Sequence, residues 1–367
     1  MKKKIVSALL CVAMIATMAT GCGGSKSSST SGNADSTAKQ FEINAAIAAN
    51  PPALDPHTVN ANVTGGIGIH IYEALFQMDE NYEPQPVLAE SYEMSDDGKE
   101  YTIKLRQGVK FHNGDEMKAD DVVASMNRWM ELSPKAKTLI GGSVFEKVDD
   151  YTVKLTVNEP SSDIIMVLAS PIQFAAIYPK SVVDSASDEG VKEYIGTGPY
   201  KVAEWKQDQY VKLEKNEDYQ PAEGKSSGLA GAKNAQADTI TFNIVTDTAT
   251  RIAGVQNGQY DIAEDIPADQ YKDLAADKNL TMDVRSGGTL NLFLNTTEGV
   301  MADEKVRQAA LAALNCDDIL MASYGDADLY KLNAGWCNPD DAQWGTEAGS
   351  EYYNQNDVEK AKKLLSE

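Results

Sequence analysis

The chain has 367 residues, which at roughly 100–200 residues per domain allows two or three domains. Lys and Arg number 33 against 55 Asp and Glu, a formal charge of −22, and so acidic a chain repels polyphosphate, which excludes nucleic acid as the expected partner. A 42% hydrophobic and 24% charged composition is that of a globular protein, and with one long apolar stretch, at the extreme N-terminus, a polytopic membrane protein is excluded. Three His and four Cys argue against a multi-site zinc or iron–sulfur protein.

Met1 and Lys2 to Lys4 form a positive start, and Ile5 to Ala19 a small, apolar segment too short to span a bilayer comfortably. This is the pattern of a secretory signal over residues 1–21. Ala19-Thr20-Gly21-Cys22 resembles a bacterial lipobox, with Ala19 where Leu is usual. The resemblance implies cleavage before Cys22 and diacylglyceryl attachment to its sulfur. Gly23 to Gly32 is almost all Gly and Ser and cannot bury a core, so residues 22–40 are expected to be a lipidated Cys and a flexible tether. Removing Lys2, Lys3 and Lys4 would take the charge from −22 to −25. Cys316 and Cys337 would then be the cysteines of the body, free or paired.

Tyr101, Ile103 and Leu105 alternate with Thr102, Lys104 and Arg106, the period of a half-buried strand. Tyr151, Val153, Leu155 and Val157 repeat the pattern. Ser95 to Gly98 and Asn113-Gly114 predict turns. Asp120 and Asp121 suit the first turn of a helix whose Val122, Met126 and Trp129 face a core. A second helix is expected from about Asp303, with Val306, Ala310 and Ala313/Leu314 on one side. A third is expected near Asn356-Asp357, with Val358, Ala361 and Leu364/Leu365 inward and no stop signal behind it. The mixture predicts an α/β body in more than one lobe.

Catalytic and cofactor motifs are missing. Gly196-Thr197-Gly198 lacks the Lys-Ser/Thr of a phosphate loop and reads as a turn before a strand at Tyr200. His57, His70 and His112 lack metal-ligand spacing, and the pairs Asp96-Asp97, Asp120-Asp121 and Asp149-Asp150 sit at turns and caps, where neighbouring carboxylates point apart. Neither an enzyme nor a cofactor is expected. Sixteen Tyr against seven Phe suit a cleft that grips an organic ligand, although most will pack at strand edges.

Several segments together resemble one family. Residues 88–114 read LAESYEMSDDGKEYTIKLRQGVKFHNG, with Tyr92, Ile103 and Asn113 where Trp, Phe and Asp are frequent. Ala119 to Val123, Gly196 to Tyr200 with Leu213 to Asn216 and Tyr219, Arg251 with Gly258 to Ile262, Phe293 to Thr296, and Val306 to Ala309 follow in order. Upstream stand Asn50-Pro51-Pro52-Ala53-Leu54-Asp55-Pro56 and Ile71 to Leu75. The pattern resembles the extracytoplasmic solute-binding components of peptide/nickel-type ABC transporters, the bacterial family 5 binding proteins.

That resemblance implies a two-lobed, type II periplasmic-binding-protein clamshell with an extra subdomain on the first lobe. Lobe I would comprise 41–77 and 196–246, the subdomain 78–195, and the opposing lobe 247–367. The family usually runs to roughly 500 residues or more, so the chain reads as C-terminally incomplete, with the solute's charged anchor expected further on. The implied function is to bind a di- or oligopeptide and deliver it to membrane permease subunits, as a lipid-anchored monomer on the extracytoplasmic side. The alternatives are a nickel chelate, a sugar or an opine, and from other classes a surface hydrolase or a chaperone. The family's cleft draws on the loop after the first strand and the next helix start, which points to Asn50, Pro51, Leu54, His57 and Tyr72, with Asn295 as a further candidate. Gly65-Gly66 and Gly68 would allow close backbone approach.

Overall fold

The structure is a computed structural model and describes residues 40–187, 189–285, 288–337 and 345–367. The signal segment, Cys22 and the tether up to residue 39 lie outside the described residues. In chain order the first elements are β1 (Glu42–Ile47), α1 (Asn62–Ile71), β2 (Phe76–Met78), β3 (Pro84–Pro86), β4 (Ala89–Met94), β5 (Glu100–Leu105), α2 (Ala119–Leu132), α3 (Pro134–Ile140), β6 (Val144–Asp149), β7 (Thr152–Thr156), α4 (Ile164–Leu168) and α5 (Lys180–Asp184). They continue with β8 (Tyr200–Lys206), β9 (Tyr210–Lys215), β10 (Thr239–Ile244), α6 (Thr248–Gln256), β11 (Ile262–Ala263), α7 (Tyr271–Ala275), α8 (Glu304–Ala313), α9 (Cys316–Tyr324) and α10 (Val358–Ser366).

A five-stranded sheet has the order β11-β1-β10-β9-β8. β1 runs parallel to β10, with Ala45 opposite Phe242, and parallel to β11, with Ala45 opposite Ile262; β8, β9 and β10 are antiparallel. The chain passes from β10 through α6 to β11 on the far side of β1, as parallel pairing requires a crossover. The sheet therefore continues past residue 247, where the opposing lobe was expected to begin. Ala45, Ile47, Val211, Leu213 and Phe242 pack with Ile67 and Ile71 of α1 and with Phe174 and Tyr178 into one core.

A four-stranded antiparallel sheet, β4-β5-β7-β6, makes the second core. The alternation of period two is realised: Tyr101, Ile103, Leu105, Val153 and Leu155 are buried under Val122, Met126 and Trp129 of α2. Asp121 starts that helix as expected, its carboxylate accepting from Lys118 N at 2.9 Å. Gly98 and Gly114 turn at φ 69° and 91°. The turn at Gly196-Thr197-Gly198 is also present, and it has a steric reason: a Cβ on Gly196 would stand 2.2 Å from Ile71 O, and one on Gly198 2.6 Å from His70 O. β8 follows directly.

Beyond β11 the structure is helical and sparse. α8 packs on α10, yet the buried residues are Ala309, Ala312 and Ala361, with Leu364 against them. Val306 and Ala310 are half-buried, and Val358 and Leu365 are exposed. Small alanines let the two helices approach closely, and this contact overrides the stripe that hydrophobicity alone selects. Cys316 and Cys337 are both free, half-buried thiols.

Candidate functional site

In open α/β sheets the ligand crevice lies outside the carboxyl ends of the parallel strands. Here the loop from β1 to α1 leaves that edge. Its fixed point is Asp55, 1% exposed. Arg128 of α2 reaches both carboxylate oxygens, Nη2 donating to Oδ2 at 2.6 Å and Nη1 to Oδ1 at 3.3 Å. Oδ1 also accepts from the Tyr178 hydroxyl at 2.8 Å and from His57 N at 3.0 Å, and Oδ2 from Val191 N at 3.1 Å. Burial pushes the Asp55 carboxyl up, but the Arg128 hydrogen bond, reinforced by its charge and by Tyr178, outweighs it and holds the group below the usual carboxylate range.

His57 belongs to the same brace. Arg128 can only donate, so His57 Nδ1 accepts from it at 3.0 Å and Nε2–H donates to Ala176 O at 2.9 Å. Burial drives the imidazole down to about 3, so it is neutral. A second brace closes the other end of α1. Glu73, 1% exposed, accepts from Thr197 Oγ1 and from the Tyr219 hydroxyl, each at 2.9 Å, with Lys233 at 3.8 Å. A third brace joins strand ends: Arg251, 2% exposed, donates to the carbonyls of Val245, Thr246, Glu264 and Asp265 at 2.8–3.1 Å.

Beside the first brace lies a cavity of about 230 Å³. It is lined by Asn60, Ala61 and Asn62, by Gly65, Gly66 and Ile69 of α1, by Pro171, Ile172 and Gln173, and by Leu229. Gly66 has nothing within 4 Å of an added Cβ. Leu229 is placed by its own N–H, which donates to Met78 O at 2.9 Å. No lining side chain is charged. The lining offers amide donors and acceptors beside apolar surface, the mixture that orients a small organic ligand.

The residues expected to touch ligand lie mostly elsewhere. Leu54, His57 and Tyr72 are fully buried, and Pro51 is buried too. They shape the core behind the cavity, with no surface to offer. Asn50 pairs with Asp208 at 2.9 Å in the β8–β9 turn. Asn295 is exposed and caps its own turn, accepting from Thr297 N at 3.0 Å and Thr297 Oγ1 at 2.8 Å. The cavity retains two of the expected close-approach positions, Gly65 and Gly66, while Gly68 packs against the Phe174 ring. Asn60 and Asn62 had a sequence signal, since Asn is a preferred residue at helix starts. Pro171, Ile172 and Gln173 had none, because only tertiary folding brings them there.

Among the described residues no group of three or more His, Cys, Asp or Glu could hold a metal ion, and no helix is long and apolar enough to cross a membrane. The fold is that of the α/β, two-lobed type II periplasmic binding proteins. It superposes on AgaA of A. tumefaciens R10, solved with agropinic acid, with a TM-score of 0.71 and 28% identity over 89% of this chain and 64% of that one. DppA of Helicobacter pylori, solved with the peptide STSA, gives 0.68 and 26% over 89% of this chain and 66% of that one. The family model for bacterial extracellular solute-binding proteins, family 5 (middle), matches residues 83–367, and the chain belongs to that family. The glutathione-binding protein GsiB of Salmonella typhimurium is 33% identical over 288 residues, 77% of this chain. The chain spans 54% of that relative's length.

Proposed function

We propose that the protein binds a di- or oligopeptide outside the cytoplasm and delivers it to the permease of an ABC importer, acting by binding and not by turnover. The observation that carries this reading is the uncharged cavity lined by Asn60 and Asn62 with Ile69, Ile172 and Leu229. Amide side chains donate and accept at once, which suits the N–H and C=O of a peptide backbone, and the apolar patch suits a side chain. Relatives described as binding glutathione, itself a tripeptide, and the peptide STSA support it. A second reading is an opine, supported by the agropinic acid complex. A nickel chelate or a sugar stands behind both.

In this reading the five-stranded sheet belongs to lobe I, the four-stranded sheet to a subdomain near 78–195, and the helices of the C-terminal part to the opposing lobe. Two hydrophobic cores support the separation of the two sheets, although Phe174, Tyr178, Val182 and Val191 pack with the five-stranded sheet. Lipidation at Cys22 would hold a monomer at the membrane; Cys22→Ala should then release the protein to the medium, and retention would contradict the anchor. Mass spectrometry of co-purifying ligand, with thermal-shift assays, tests the solute. Stabilisation by di- to tetrapeptides is expected; stabilisation by a nickel chelate or an opine with no response to peptides would overturn the peptide assignment.

A further inference from the structure

Gln173 is the one cavity-lining residue, among those described, whose backbone lies in the left-handed region, at φ 50°. Gly, Asn or Asp is the usual occupant of that region, so the surroundings must hold a glutamine there. They do so through three elements. The Trp129 indole N–H of α2 donates to Gln173 O at 2.8 Å. The Ser133 hydroxyl, at the junction of α2 and α3, donates to Gln173 Oε1 at 3.1 Å, and Ser133 in turn caps α3 by accepting from Ala136 N. Gln173 Nε2–H donates to His57 O at 3.3 Å, in the loop that carries Asn60 and Asn62. A carbonyl can only accept, so these partners fix which way the amide points.

We infer that Gln173 is a positioning residue for the cavity: its side chain ties the Pro171–Ile172 segment to the loop that leads to Asn60 and Asn62, and so sets the spacing of these two parts of the lining. This rests on the reading of the cavity as the binding site. The wall is anchored separately at its other end, where Lys135 Nζ donates to Ser170 Oγ at 2.6 Å and Ser170 Oγ donates to Ile172 O at 3.3 Å. Loss of Gln173 therefore leaves the wall in place locally, with the His57–Ala176 and Tyr178–Asp55 bonds still holding the loop behind it, and loosens the spacing only at the cavity end. The side chain at the free edge is Ile172, 54% exposed and facing the cavity with Ile69 and Leu229. A cavity of fixed width spares the ligand the cost of ordering its walls.

Hydrogen exchange on the unliganded full chain tests the tie. Gln173→Gly accepts the backbone angle and keeps the carbonyl that Trp129 uses, but removes the side chain. Gln173→Glu keeps an acceptor for Ser133 and turns an oxygen towards His57 O. Both variants should raise exchange in segment 55–62 by about tenfold, with 100–105 and 152–156 unchanged and the thermal midpoint held. Exchange within about twofold of wild type in both variants, or a rise shared equally by the two β segments, would overturn the inference. Titration with glutathione, a dipeptide and a tetrapeptide separates this from the functional reading. Gln173→Gly should weaken whichever peptide binds wild type by about tenfold at unchanged midpoint. If wild type binds none of the three, the peptide assignment falls while the exchange result still decides the role of Gln173.

Discussion

Two sets of polar residues crowd around α1 and do opposite work. Asp55, His57 and Glu73 are each at most 1% exposed and each satisfied by several partners. Asn60 and Asn62, a few residues along the same loop, are exposed at the rim of the cavity. The segments that carry the family resemblance supply Asp55 and Glu73. The difference teaches that what is most recognisable in the sequence is the frame that fixes the loop, whereas the proposed ligand contact falls to plainer residues that the frame holds in place.

Breaking the frame should have the largest effect. Arg128→Met leaves the Asp55 carboxylate buried and unpaired, and should cost about 3–5 kcal/mol, read as a fall in the urea midpoint. Adding Asp55→Asn should restore part of the loss, because the uncompensated charge is then gone. No rescue would mean that packing and not charge dominates the brace.

Proton uptake sharpens the comparison next. Burial is the chief cause that lowers His57 to about 3, and His70 and His112 to about 4. Each is depressed below its unfolded value near 6.5, so the unfolded chain binds more protons between those limits. Stability is therefore fully present above pH 6.5 and falls as pH drops towards 4. His112 accepts from Gly196 N at 3.2 Å and donates to Gly198 O at 3.0 Å. His112→Gln should remove one proton from the slope, about 1.4 kcal/mol per pH unit between pH 6 and 4.5. An unchanged slope would place the uptake elsewhere.

The rim should respond least in stability. Gly66 lies in α1 with open space where a Cβ would go, so Gly66→Ala should stabilise the fold by up to about 1 kcal/mol. A loss of stability would mean that the glycine meets something the open cavity does not reveal.

Much of the frame was legible beforehand. The alternation through Ile103 and Val153, the Val122, Met126 and Trp129 stripe, and the turn at Gly198 all follow from local periodicity and turn chemistry, and each appears as read. The cavity was half legible: Gly65 and Gly66 carry a local signal, whereas Pro171 to Gln173 and Leu229 come from distant parts of the chain. His57 was legible only as a polar ring in a loop, which suits a ligand and a buried brace equally, and its burial is set by tertiary contacts with Arg128 and Ala176. In α8 the stripe through Val306 gave way to Ala309 and Ala312, because helix–helix contact with α10 selected for small volume.

The most direct test of the account is calorimetric titration of a di-, tri- and tetrapeptide panel into wild type and Gly66→Trp. A Cβ on Gly66 meets nothing within 4 Å, and the indole is expected to occupy the cavity that Gly66 lines. The account predicts heat from at least one peptide with wild type, and none with the variant at an unchanged thermal midpoint. Equal heat from both proteins would contradict the assignment of this cavity as the binding site.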